Sequence, residues 1–176
     1  MKRKIGFGAL LAVVALGAAM YAFAAPGAGA AGTATTALAT GQSMTMLVTG
    51  QKQGVFSKTK IPVLAVSHEI VSPRDAASGL PTGKRQHKPY VATMPMGATT
   101  PKFINALVTN ENLTSVLIGL LRNGVVVATI RMTNASVADY VQTDQGVQLS
   151  FTYQKITWTW VDGGISASDD WEVPVA

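Results

Sequence analysis

The chain reads as mainly β, a barrel of antiparallel strands with one short α-helix. Three observations carry this reading. Runs of β-branched and aromatic residues alternate with polar ones along most of the body, the period of a half-buried strand. Asn123-Gly124 stands between two such runs, and both residues tolerate the positive φ that a two-residue hairpin demands. Helical spacing occurs in one stretch: Phe103, Ile104, Leu107 and Val108 share a face, with Thr100 placed to cap the free amides and Pro101 at the first helical position. Many strands around one short helix favour a closed or nearly closed barrel, which removes sticky edges.

Taken in order, residues 1–25 open with Met1 to Lys4, a basic start, and continue as an uncharged run with small-residue sites at Ala22-Phe23-Ala24 and, just beyond, Ala28-Gly29-Ala30. That is the pattern of a signal peptide. An uncleaved membrane anchor is the alternative, since about 20 apolar residues span a bilayer; the Ala and Gly content favours cleavage. Residues 26–41 are Ala, Gly and Thr with little side chain to bury, a flexible linker. Residues 42–176 form one barrel domain. The chain is expected outside the cytoplasm, in the periplasm or beyond, with membrane contact only through an uncleaved leader.

The strands are expected at 43–49, 61–70, 90–94, 116–122, 125–132, 135–141 and 147–160, with the helix between the third and fourth and ending near Asn110. Thr143-Asp144-Gln145-Gly146 supplies a second tight return. Cysteine is absent, so core packing alone must hold the exported fold. The formal charge of +5 includes Lys2, Arg3 and Lys4; without them 11 basic residues face 9 acidic ones, about +2. So small an excess argues against a nucleic-acid partner.

Between the runs at 61–66 and 90–93 lies a long polar loop. It contains Ser72, Pro73, Arg74, Asp75, Gly79, Pro81, Gly83, Lys84, Arg85, His87, Lys88 and Pro89. A loop of this length is functional or disordered, and its prolines lower the entropy of ordering it, so it is read as an arm that joins subunits. Arg74, Lys84, Arg85 and Lys88 ask for carboxylates on a protein partner. A second contact set lies in the tail: Trp160, Asp162, Asp169, Asp170 and Trp171, with Glu172 beside them. Trp158 and Trp160 share a strand face and are read as core.

Chemistry has little support. His68 and His87 lack metal-ligand spacing, and they are expected to bond within or across the loop. The acidic tail lacks EF-hand spacing, and no G-x-S-x-G elbow occurs. Gly79 to Lys84 is not a phosphate loop, because three residues separate its glycines and Arg85 stands where Ser or Thr is needed. No enzyme activity, metal or cofactor is expected.

Three blocks, SPRDAASGLPTGKRQHKP from Ser72, NALVTNE from Asn105 and YQKITWTWVDGGISASDDWE from Tyr153, resemble the Hcp family of type VI secretion in content and order. The resemblance implies a small β-barrel with one helix that forms six-membered rings, stacked into a hollow tube expelled by a contractile sheath, with spike and effector proteins as further partners and effectors carried in the lumen. It implies that the loop is the arm reaching a neighbouring subunit or ring, that 101–110 is the helix, and that 153–171 is the closing strand and tail. The family usually lacks a leader, and the turns at Asn123-Gly124 and Thr143 to Gly146 are shorter than its usual connections. An exported monomeric binding module at the cell surface, built on the same fold, is the alternative.

Overall fold

In a computed structural model residues 41–172 are described; the expected leader, and the expected linker apart from Gly41, lie outside them. The elements are β1 (Gln42–Gly50), β2 (Gly54–Val55), β3 (Ile61–Val63), β4 (Ala65–Ser67), β5 (Ile70–Val71), β6 (Gln86–His87), β7 (Tyr90–Met94), α1 (Thr100–Val108), β8 (Leu113–Arg122), β9 (Val125–Thr143), β10 (Gly146–Trp160) and β11 (Ile165–Asp170). Nine of these strands make one sheet in the order β2-β1-β8-β9-β10-β7-β4, with β3 added to β1 and β11 to β10. All of its pairs are antiparallel.

The ladder does not close strand by strand. Closure falls to residues 61–67, whose first half, β3, pairs with β1 and whose second half, β4, pairs with β7. Leu64 makes the handover by donating its N–H to the Thr93 carbonyl at 2.7 Å. The run expected as one strand over 61–70 is therefore cut, because each half serves a different end of the sheet.

A corner crosses four strands. The register of β1 slips between Thr49 and Gly50. The inward residues jump from Leu113 to Val116 on β8, from Met132 to Ala135 on β9 and from Tyr153 to Ile156 on β10. Asn134 takes a φ of 48° at the break, a conformation that Asn tolerates, and its amide donates to Gln154 Oε1 at 2.7 Å. Such irregularities bend a sheet over its own core. The alternation in the sequence breaks at the same place, which is why β9 reads as two strands, 125–132 and 135–141, although it is one.

Inside the curl lie Met46, Ile118, Met132, Leu149 and Phe151, all fully buried. Phe103 from α1 sits between Phe56, with ring centroids 5.1 Å apart, and Phe151, 6.3 Å away. Burying such a ring stabilises by about 1.5–3 kcal/mol. The helix differs in detail from its expectation. Thr99 precedes it without a side-chain cap, and the Thr100 hydroxyl instead accepts the Gly97 N–H at 3.0 Å. Ile104 and Val108 are exposed, and the buried stripe is Thr100, Phe103 and Ala106, because the helix covers the core along one narrow edge.

The hairpin between β8 and β9 has Asn123 and Gly124 as its loop, with φ of 52° and 81°, and pairs Arg122 with Val125. Gly124→Val forces positive φ on a β-branched residue and is expected to cost about 1–2 kcal/mol, read as a lower urea midpoint at unchanged slope.

Candidate functional site

The expected contact loop is a ribbon folded on itself. Ile70 and Val71 of β5 pair with His87 and Gln86 of β6, and Arg74 bridges to Pro81 further out. Thr82 donates its N–H to the Pro73 carbonyl at 3.0 Å and Lys88 donates to Glu69 at 2.9 Å. At the tip Asp75 Oδ1 accepts from the backbone N–H groups of Ala77 and Ser78 and from the Ser78 hydroxyl. Those bonds, led by the one from the Ser78 backbone, hold the Asp75 carboxyl below its ordinary range, and Gly79 completes the turn at φ 70°. Local hydrogen bonds shape the outer part of the arm. Ser72, Gly83, Lys84, Lys88 and Pro89 remain exposed on it.

At the root of the ribbon five polar side chains converge. Arg85 forms a two-point ion pair with Asp169 and donates to the Asp170 carbonyl at 3.1 Å. His87 Nε2 lies 2.6 Å from Asp169 Oδ2 and its Nδ1 lies 2.7 Å from the Tyr153 hydroxyl. The same hydroxyl is 2.6 Å from His68 Nε2. Tyr90 stacks on His68 at 5.2 Å and Trp171 packs against His87 at 5.2 Å. The Arg85 hydrogen bond, foremost, draws the Asp169 carboxyl below its usual value; burial raises the Tyr153 and Tyr90 phenols and lowers the His68 imidazole, with His87 adding to the effect.

This cluster corrects one expectation. Arg85, read as a partner for acidic residues of another subunit, pairs with Asp169 of its own chain. Asp169 reaches it because β11, a polar strand without β-branched alternation, pairs along β10 from Lys155↔Asp170 to Trp160↔Ile165. Asp162 lies apart in the turn before β11. Tyr153, the centre of the cluster, falls outside both expected contact sets. Its inward position continues that of Leu149 and Phe151, and nothing in the sequence distinguishes its hydroxyl from a core ring.

A second polar site lies where α1 ends against the turn between β1 and β2. Asn110, at φ 49°, ends α1, and the Asn110 N–H bonds to Leu107 while the Glu111 N–H bonds to Ala106 at 2.8 Å, the double bond pattern of a helix stop. The turn drives the Glu111 side chain inward, where it is 1% exposed. Its Oε1 accepts from the backbone N–H groups of Lys52 and Gln53, and its Oε2 from the Gln53 amide, each at 2.7 Å. Burial pushes this carboxyl up, but the bonds from Gln53 and Lys52 outweigh it and hold the group below its ordinary value.

The two faces of β1, β8, β9, β10 and β11 differ sharply. The outer one carries rows rich in threonine and serine: Thr45, Gly119, Thr129, Thr159 and Ser166 form one and Thr49, Ser115, Thr133, Lys155 and Asp170 another, with Leu47, Leu117, Arg131, Thr157 and Ser168 in the row between. The inner face runs beyond the covered core into an apolar cavity of about 340 Å³, lined among others by Leu120, Ile130, Trp158, Trp160 and Ile165. Trp158 packs on the core, but Trp160 is 46% and Ile165 70% exposed. Trp160 is thus not core, because β7 covers β10 only as far as Phe151.

The family model described as "Type VI secretion system effector, Hcp" matches residues 38–160. The "Major exported protein" of Pseudomonas aeruginosa is 36% identical over 134 residues, covering 66% of this chain and 78% of that protein. A solved structure described as that of an Hcp protein superposes with a TM-score of 0.68 at 26% identity, over 73% of this chain and 99% of the other. The secreted protein Hcp3 of Pseudomonas aeruginosa gives 0.60 at 26% identity, over 73% and 99%. A family match that runs from before β1 to the end of β10, on a fold shared with solved Hcp structures, makes this chain a member of the Hcp family and a tube subunit of type VI secretion.

Proposed function

We propose that copies of this chain close head to tail into a six-membered ring, and that the rings stack into an exported tube. The observation that carries this reading is the uncovered core face at Trp160 and Ile165, an apolar patch that a soluble chain buries against a partner. A heterologous contact repeated by rotation covers it once per subunit. The ribbon of residues 72–89 offers Lys84 and Lys88, both exposed, to carboxylates of a neighbour or of the next ring. The rows of threonine and serine suit a wall facing the lumen, where small, mostly neutral groups let effector cargo pass without binding. Sheath and spike proteins are the further partners of such a tube, and the role is structural, with no chemistry assigned to any residue.

Light scattering tests it. The purified protein is expected as a ring at micromolar concentrations, and Trp160→Glu, at a position that is half open in the single chain, is expected to give folded monomers. A monomer before any mutation makes the chain an exported binding module instead.

The basic start and the Ala-x-Ala sites support removal of the leader. The mature chain is expected to begin between Ala25 and Ala31, which intact-mass analysis of the exported protein reads directly; Met1 retained in a membrane fraction replaces secretion by anchoring.

A further inference from the structure

The five-residue cluster at the ribbon root has a proton arrangement that geometry fixes. Asp169, ionised, only accepts, so a neutral His87 carries its proton on Nε2. Its Nδ1 is then bare and accepts the proton of the Tyr153 hydroxyl. The Tyr153 oxygen in turn accepts from Nε2–H of His68. All three contacts, at 2.6, 2.7 and 2.6 Å, are filled with one proton per ring. The four groups sit on separate pieces of chain: His68 follows β4, His87 is on β6, Tyr153 on β10 and Asp169 on β11.

We propose that this relay is an acid-released latch: it pins the β5–β6 ribbon to β10 and β11 at neutral pH, and acidification frees the ribbon while the sheet stays folded.

A second proton on His68 adds a positive charge inside this part-buried cluster while its Nε2–H stays on the Tyr153 oxygen. That charge lies with its ring centroid 5.8 Å from the His87 ring, in a cluster that already holds the Arg85 guanidinium. The groups that face the cluster from other elements do not offset this. Tyr90 on β7 is neutral, Trp158 and Trp171 are uncharged, and Lys88 lines the cavity against His87 and adds positive charge. Asp169 bonds to Arg85 and His87 and not to His68, Asp170 turns its carbonyl to Arg85 and its carboxylate to the Glu172 N–H, and Glu69 is exposed, with its carbonyl on the Lys88 N–H.

The direction follows from proton counting. Burial, then His87, holds His68 below the ordinary value of 6.5 in the docked state, so the released ribbon binds more protons. Docking is then complete above about pH 6.5 and weakens as pH falls below it. Asp169, whose value is drawn down, loses its contribution only at far lower pH. An isolated two-stranded ribbon is marginal in water, so release exposes its backbone amides. The latch belongs to the single chain and holds whether or not rings form.

Hydrogen exchange of the purified full-length protein, divided by the intrinsic rate at each pH, reads it. The amides of Gly79, Thr82 and Lys88, all bonded inside the ribbon, are expected to exchange about tenfold faster at about pH 5.5 than at about pH 7.5, the linkage expected for one proton taken up with a midpoint between them. Amides of β8 and β9 should keep their protection. In the double variant His68→Gln with His87→Gln, which keeps amide donors but cannot titrate, the pH response should vanish. Tyr153→Phe, which removes the shared oxygen alone, should raise ribbon exchange at neutral pH to the acid level, and it decides the matter should the double variant not fold. Ribbon protection that is constant over this range, a response that survives both substitutions, or equal loss of protection in β8 and β9 overturns the proposal.

Discussion

Glu111→Ala is expected to lower the stability of the domain by about 3–5 kcal/mol, a large part of the 5–15 kcal/mol that such folds possess. Three donors now meet one carboxylate at 2.7 Å each, and bonds to a charged acceptor contribute about 1.5–3 kcal/mol apiece without adding fully. Two of the donors are backbone N–H groups of the turn between β1 and β2, and alanine leaves them facing a void. Gln53 also donates to the Lys102 carbonyl at 3.0 Å, so the loss spreads from that turn into α1. Urea denaturation at neutral pH measures the effect. A pH series separates charge from packing. The folded carboxyl titrates below its ordinary value of 4.5, so its contribution is complete above about that pH and is lost as pH falls through the lower, folded value. The gap between wild type and Glu111→Ala should therefore narrow in acid. A gap that is constant with pH would mean that the side chain matters only as filler.

Gly146→Ala is expected to cost about 3 kcal/mol, from two sources that act together. Gly146 lies at φ 128°, where a side chain is strained by about 1–3 kcal/mol. A Cβ there also falls onto the carbonyl oxygen of Met94, which is backbone and has no side-chain freedom with which to yield. The pair Val147↔Met94 begins the ladder between β10 and β7, so relief of the clash means prising these strands apart at their first rung. The thermal midpoint should drop by several degrees at least. A change no larger than that of Gly124→Val, where the added Cβ meets nothing, would show that the ladder end moves freely.

The strands that read most clearly from the sequence are those buried on one face. β7, β8 and β10 alternate, and Asn123-Gly124 declares its turn through the positive φ that both residues tolerate. What escapes the reading has physical causes. β11 holds its place by backbone bonds to β10, and its serines and aspartates carry no period. The corner at Asn134 reverses inward parity, so the one long strand β9 presents itself as two. Residues 61–67 divide their pairing between two distant strands, which no local pattern records. In the site, the length and polarity of the arm mark it, and its charges announce a demand for carboxylates. That Asp169 answers Arg85 within the same chain depends on how far β11 folds back along β10. Tyr153 and Glu111 are invisible for opposite reasons: one looks like core and the other like surface.

The order of the sheet differs from the order of the chain, and this bears on how the molecule is made. β8, β9 and β10 are successive neighbours and can pair as each appears. β1 comes first, yet its full-length partner β8 does not begin until Leu113; before then it has only the short rungs of β2 and β3. A chain delivered from its N-terminus thus carries a first strand without its full-length partner over the stretch from Gly50 to Leu113, because long-range pairing must wait for that partner. Over that interval one long edge of β1 lacks its neighbour, and an uncovered strand edge is open to misassociation. The arrival of residues 113–122 covers that edge, and β9 and β10 then extend the sheet from it until β10 meets β7.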